Sequence, residues 1–372
     1  MLTALQYVPR PGATPDNPDA AVGAYAFSAT LAIQDITGLA TSGITTAHVA
    51  KRLENSTESQ AYLFALTTRE ALRPVTDLGY PEPTDDDLLD IDAWVFTSLP
   101  LLEDLGVIEA NVILDASIAP LPGEEVPREP WEGAFTLIDA LSHRLTRPTR
   151  HLWVTHAPGE WELPGAREQG FTPAFREDQA VFTADAPAAL PALPSGTAEI
   201  TVAEGPGFAG FTAPADAASE DAIQFAALLT AASRGYPRGE LALEPIEWDL
   251  ARITDAGARL RDRGGNQLTG VARVVAGDGS GGRRTVGLCE AVHFTSDSDA
   301  VCELGLIYVL PEFRGRGIGQ ALIRETVSAA RTKWEDLETV YVSAPAGSAP
   351  ADAILGALGA KVVSSTTAWQ KV

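Results

Sequence analysis

The sequence predicts an α/β (α+β) protein made of two diverged copies of one unit, each a mixed, mostly antiparallel sheet flanked by helices. Three observations predict it. The chain is 372 residues long, more than one ordinary domain needs to bury a core. A proline- and alanine-rich stretch at 186–196 divides it nearly in half. The order of helical and strand-like segments before that stretch recurs after it.

The balance of residues is that of a globular protein, with 45% apolar residues, 33 Gly and 26 Pro. Twenty-seven Lys and Arg stand against 50 Asp and Glu, a net charge of −23 that repels phosphate backbones and anionic lipid heads. Nucleic acid and membranes are therefore excluded as expected partners, whereas a cationic or amine-bearing small molecule is attracted. Cys289 and Cys302 have neither the number nor the spacing of a disulfide framework or a zinc site, which points to a reducing cytoplasm. Residues 1–12 lack a basic segment followed by an apolar one, and apolar runs such as 304–310 are too short to span a bilayer, so the protein is expected to be soluble.

The boundaries that follow are a first domain over 1–185, a stiff extended linker over 186–196, and a second domain over 197–372. In the second domain, 198–203 reads as a strand, 217–233 and 250–263 as helices, and 268–276, 285–294 and 300–310 as strands joined by turns such as 277–282. After a glycine-rich segment come a helix to 333, a strand at 339–343, a helix at 351–358 and a strand at 361–371. The first domain repeats the order: helices at 26–39 and 46–55, strands at 61–67, 91–99 and 108–115, a helix at 131–144, a strand at 151–155, a helix at 163–169 and a closing strand pair at 171–182.

The chemistry is concentrated in 306–322. A buried strand, a tight basic glycine loop and an amphipathic helix follow one another directly, which is the arrangement of an anion cradle. Gly315, Gly317 and Gly319 remove the Cβ atoms that would hold a ligand away from the backbone, and Arg314 and Arg316 add charge. Two nucleotide motifs fail on spacing. The dinucleotide fingerprint needs glycine where Gln320 stands, and the P-loop needs Gly-Lys-Ser/Thr where Gly319-Gln320-Ala321 stands.

The segment resembles motif A of the GNAT superfamily of N-acetyltransferases, Arg/Gln-x-x-Gly-x-Gly/Ala, matched in full by Arg314-Gly315-Arg316-Gly317-Ile318-Gly319 after Val309-Leu310-Pro311. The resemblance implies two tandem GNAT-like domains, with acetyl-CoA as co-substrate and no metal. It implies that the amides of Arg314, Gly315, Arg316, Gly317, Ile318, Gly319 and Gln320 bind the pyrophosphate and that the backbone of Ile307, Tyr308 and Val309 pairs with the pantetheine arm. The tandem arrangement with one weakened copy is similar to that of mycothiol synthase and related actinobacterial-type acetyltransferases.

Acetyl transfer to an amine requires the amine to lose a proton, for which a carboxylate is a suitable base. Glu303 is the expected base, eleven positions before Arg314, where histone-type members and mycothiol synthase carry theirs. The family's usual proton donor is a tyrosine four residues before the glycine of a Leu-Gly-Phe turn. Here the turn is Leu358-Gly359-Ala360, the tyrosine position holds Leu355, and Ser348 stands where an asparagine is frequent. Tyr308, Tyr341 and Cys302 lie in apolar strands and read as core residues. His151 and His156, with Glu160 nearby, fit no zinc spacing.

In the first half the cradle is missing. Pro127 and Pro130 remove amide donors, and Glu124, Glu125, Glu129 and Glu132 would repel a pyrophosphate. Glu168-Gln169-Gly170-Phe171 still resembles the family's turn before its closing strands. The first half thus reads as a degenerate GNAT fold that packs against, or shapes the acceptor cleft of, the second. The acceptor is expected to be a small amine, with a protein or peptide amine and a non-catalytic acyl-CoA-binding role as the alternatives.

Overall fold

The structure, a computed structural model, describes residues 2–10, 17–70, 73–120, 124–159, 161–205, 220–275 and 282–372. Glu160, residues 121–123, the first residues of the helix expected at 217–233, the last of the strand expected at 268–276, and all but the last residue of the turn at 277–282 lie outside these segments. The chain packs as two compact units, and each is a sheet with helices on both faces.

The first unit comprises Met1–Glu177, Arg238–Glu244 and Val363–Val372. Its strands β1 (Thr3–Tyr7), β2 (Ser59–Thr67), β3 (Ile91–Pro100) and β4 (Val107–Leu114) form an antiparallel meander. Alternation along β2 separates two cores: Leu63 and Ala65 meet helix α1 (Ala20–Thr37) and helix α2 (Thr46–Leu53), while Phe64 and Leu66 meet helix α3 (Arg128–Leu145). Because both faces are covered, β3 is apolar almost throughout. Thr45 caps α2 by accepting the His48 N–H at 3.2 Å, and Gly38 ends α1 in the left-handed conformation. The α3 crossover brings β5 (Thr149–His156) parallel to β4.

Strand β6 (Thr172–Thr183) begins in this unit, and its residues from Asp178 belong to the second. The second unit comprises Asp178–Pro237 and Pro245–Val362. Here β7 (Glu199–Glu204), β8 (Gly265–Val275), β9 (Arg283–Phe294) and β10 (Val301–Val309) pair antiparallel, and helix α6 (Ile318–Lys333) carries the chain to β11 (Thr339–Pro345), parallel to β10. Helix α4 (Glu220–Gly235) and helix α5 (Leu250–Asp262) pack Phe225, Leu229 and Ile253 on Val271, Leu288 and Tyr308 of one face. On the other face α6 packs Ile318, Leu322 and Val327 against Cys289, Cys302 and Val340. Helix α7 (Ala349–Ala357) precedes the last strand, β12 (Lys361–Lys371).

Four expectations need correction. The helix expected at 163–169 is a run of turns, because Pro164, Gly165 and Gly170 interrupt it, with φ of +75° and +84° at the two glycines. The closing strand pair expected at 171–182 is one strand, β6; beside β5 stands β12 from the far end of the chain, with Ser365–Lys371 against His156–Arg150. The stretch at 186–196 is not an extended linker. Ala186–Ala189 forms a 3₁₀ turn, Leu190 is buried among unit-two core residues that Leu193 packs against, and Arg324 donates to the Pro191 carbonyl at 3.0 Å. The apolar pair three residues apart finds a hydrophobic surface and folds onto it. Finally, the units are not a linear division into 1–185 and 197–372, since 238–244 and 363–372 belong to the first unit and 178–185 to the second.

Strand β1 is an addition that the sequence reading did not contain. It supplies the edge partner of β2 and completes the strand–helix–helix order that β7, α4 and α5 have in the second half. Among the described residues no helix is long and apolar enough to cross a membrane.

Candidate active site

Strands β10 and β11 part in the middle of the second unit. Their parallel pairing joins Val301–Leu304 to Thr339–Val342. Beyond it the register of β10 on β9 shifts between Leu304 and Ile307, so that Gly305 and Leu306 stand against the single residue Glu290. The parting opens a cavity of about 610 Å³, walled by Gly305, Ile307, Tyr308 and Val309 on the β10 side and by Val342–Pro345 of β11 on the other.

At one end of this cavity lies the glycine-rich loop. After a 3₁₀ turn at Pro311–Phe313, Gly315 and Gly317 take φ of +73° and +80°, a region closed to most side chains, and the chain enters α6. The first helical bond runs from the Ala321 N–H to the Gly317 carbonyl at 3.0 Å. The N–H groups of Ile318, Gly319 and Gln320 precede it and point from the helix start with their partial positive charge. Arg314 donates from Nε to the Val309 carbonyl at 2.9 Å and lies 5.4 Å over the Tyr308 ring, which fixes its guanidinium at the mouth.

Nine of the residues expected to hold the co-substrate line this one cavity: Ile307, Tyr308, Val309, Arg314, Gly315, Gly317, Ile318, Gly319 and Gln320. Arg316 stands outside its lining, donating to the Glu312 carbonyl at 2.9 Å with its guanidinium over Phe313. The residues present suit a diphosphate: backbone donors at a helix start, glycines that leave the amides open, and a guanidinium held beside them. The strand edge from Gly305 to Val309 suits an extended amide-bearing arm.

Glu303 lies exposed on β10, opposite Val292 of β9 and Tyr341 of β11, outside the cavity lining. Cys302 beside it is buried, and burial pushes its thiol up to about 12. Leu355 and Ser348 line the cavity where the family's tyrosine and asparagine were expected, so α7 presents an aliphatic wall there. Ser343 and Tyr236 also line it and were not singled out from the sequence.

Glu290 is the residue that sequence reasoning missed. It is partly buried, its carboxylate accepts the Leu306 N–H and the Gln267 side-chain amide, and burial pushes its carboxyl up to about 7. A signal was available. Glu290 is the one charge in the apolar run Val286-Gly-Leu-Cys-Glu-Ala-Val292, where strand alternation places it on the face of Leu288 and Tyr308.

In the first unit the corresponding helix, α3, starts at Arg128 after Pro127, with Glu129 in its first turn and Pro130 buried. Arg128 forms ion pairs with Glu132 and Glu168, so its charge is already compensated. His151 bonds through Nε2 to the Gln370 side chain at 3.0 Å. His156 bonds through Nε2 to the Thr367 hydroxyl at 2.9 Å and stacks on Trp161. Among the described residues no group of three or more His, Cys, Asp or Glu is placed to hold a metal.

Residues 271–352 match the family model described as an acetyltransferase (GNAT) domain. The fold of the whole chain is similar to that of a tandem GNAT protein from the clavulanic acid biosynthesis pathway, at 17% identity and a TM-score of 0.63, covering 100% of this chain and 98% of that one. It is also similar to a GCN5-related N-acetyltransferase from Sphaerobacter thermophilus, at 17% identity and a TM-score of 0.59, covering 100% and 95%. No curated protein matches the sequence.

Proposed function

Residues 271–352 match a GNAT acetyltransferase domain, and from that premise we propose that the protein transfers the acetyl group of acetyl-CoA to the primary amine of a small molecule, within a ternary complex. The observation that carries this reading is the convergence of the glycine loop, the α6 start and the open β10 edge on one cavity. When bound, acetyl-CoA supplies an acyl group on a thiolate leaving group. Arg314 and the amides from Arg314 to Gln320 hold the diphosphate, and Ile307, Tyr308 and Val309 pair with the arm, as the family resemblance implies. Glu303, exposed at the outer end of the same strand, takes part in removing the amine proton, directly or through water.

A free thiol titrates near ~8.5, so a thiolate is a tolerable leaving group without a dedicated acid, and Leu355 at the tyrosine position does not prevent transfer. That leucine is also the observation that favours a second reading, a non-catalytic acyl-CoA-binding protein. The net charge of −23 supports a cationic acceptor over nucleic acid or membrane, and two buried thiols fit the reducing cytoplasm.

Calorimetry with CoA, run beside thiol release from acetyl-CoA across a panel of primary amines, tests the proposal. Binding with turnover that declines in Glu303→Gln is the expected result. Binding without turnover would favour the acyl-CoA-binding reading, and absence of binding would overturn the cradle.

A further inference from the structure

We propose that Glu290 is the first acceptor of the proton from the attacking amine, reaching it through the gap that Gly305 leaves at the β9–β10 bulge. The inference rests on the acetyl-transfer reading of the same cavity and adds a catalytic residue that the motif does not contain.

The geometry begins with the bulge. Two residues of β10, Gly305 and Leu306, oppose Glu290 alone, a bulge that begins where the pairing of β10 with β11 ends. The carboxylate is held from two sides, by the Leu306 N–H and by Gln267 on β8, and Gln267 in turn donates to the Thr269 hydroxyl at 2.9 Å. A Cβ placed on Gly305 would sit 3.7 Å from Glu290 Oε2. That is ordinary contact, so a branched side chain at 305 packs over the carboxylate; Gly305 itself walls the cavity, and Glu290 stands directly behind it, outside the lining.

Position along the cavity matters as much. It runs from the loop at Arg314–Gln320, past Val309, Tyr308 and Ile307, to Gly305 and Leu304. A ligand anchored by its diphosphate at the loop and laid along the strand ends at Gly305, beside Glu290.

The surroundings favour a neutral carboxyl that ionises near neutrality. The packed faces of α4 and α5 contribute Phe225, Leu228, Leu229, Ala232 and Ile253, all apolar. From β8 come Gln267 and Thr269, and from β10 Gly305 and Leu306, with Tyr308 and Glu303 the ionisable groups of that strand on the same face. Cys289, the neighbour on β9, points to the opposite face and is pushed up to about 12 by burial. Glu290 itself is pushed up to about 7, the range in which a base is both available and strong enough.

The step balances as follows. The amine nitrogen forms a bond to the carbonyl carbon of the acetyl thioester, the carbon–sulfur bond breaks, and its electron pair leaves with sulfur as CoA thiolate. The proton lost from nitrogen passes to Glu290. Glu303, exposed on the same face of the neighbouring strand β10, returns it to solvent.

The test uses the full chain with acetyl-CoA and a primary amine, comparing wild type, Glu290→Gln and Gly305→Val by calorimetry with CoA and by kcat against pH. Wild type is expected to show an acid limb inflecting near 7. Glu290→Gln should bind CoA within about twofold of wild type, lose about 100-fold or more in kcat, and lose the limb. Gly305→Val keeps the carboxylate but covers it, so it should lower kcat and move the limb to higher pH. A Glu290→Gln protein that keeps the limb and falls less than about threefold in kcat overturns the role of Glu290 alone. Loss of CoA binding in wild type overturns the acetyl-transfer reading itself.

Discussion

Glu109 stands opposite His151 as the third residue of parallel strands β4 and β5, and Glu303 stands opposite Tyr341 as the third residue of β10 and β11. The two units thus place a glutamate at the same register of the same parallel pair, a structural record of the internal repeat. Their environments differ. Glu303 is exposed below an open cavity, whereas burial, and next the nearby Asp104, raise the Glu109 carboxyl above its ordinary range.

That difference separates the copies functionally. Glu303→Gln is expected to lower thiol release from acetyl-CoA at least about tenfold, and Glu109→Gln to leave it unchanged. Parallel assays of the two variants check this; equal losses would show that the first unit shares in the chemistry.

Gly319 offers a substitution in which stability and binding move in opposite directions. A Cβ there meets Ile354 and Val309 at 3.9 Å, ordinary contact, and alanine favours the helix by about 0.4–1 kcal/mol. Gly319→Ala should melt slightly higher than wild type yet bind CoA about tenfold more weakly, because the methyl group stands over the first amides of α6. Calorimetry and thermal melting together decide it, and unchanged affinity would remove Gly319 from the cradle.

Trp369 ties the end of the chain to the first unit. Fully buried in the core with Phe135, Ile138 and Phe171, it is presented by β12 opposite Leu152 of β5. Trp369→Ala should cost about 3–5 kcal/mol in denaturant unfolding of that unit. A loss below about 1 kcal/mol would mean that the strand adds little to the core.

Stability should fall as the pH rises through neutrality. The Glu290 carboxyl is raised from 4.5 to about 7 in the folded chain, so folding binds its proton more tightly. The resulting stabilisation is complete below 4.5 and is lost as pH passes 7. Urea unfolding at several pH values should show this decline in wild type and a shallower one in Glu290→Gln. Identical slopes would mean that the carboxyl is not desolvated.

Cys289 and Cys302 should resist alkylation at mildly alkaline pH, since burial pushes both thiols up to about 12. Mass spectrometry after iodoacetamide treatment should find them unmodified in native protein and modified in denaturant. Rapid native labelling would show that the core around α6 opens readily.

The sequence by itself determined the local elements with their own signals: the amphipathic α6, the alternating strands of the second half, and the run from Arg314 to Gly319, whose glycines and arginines adjoin one another in the chain. Cradle residues are legible because an anion site at a helix start is built from consecutive amides. Tertiary structure alone decided what depends on distant partners. Glu290 announces itself as a lone charge in an apolar strand, but its place opposite the two residues Gly305 and Leu306, behind the cavity wall, is a relation between two strands that only the folded chain decides. The strand at 361–371 reads correctly as a strand, but its place beside β5 is set by which core can bury Trp369. The apparent linker at 186–196 became packed structure because Leu190 and Leu193 found α6's hydrophobic surroundings. Hydrophobic burial is non-directional, so composition tells which residues need covering and only the folded chain tells what covers them.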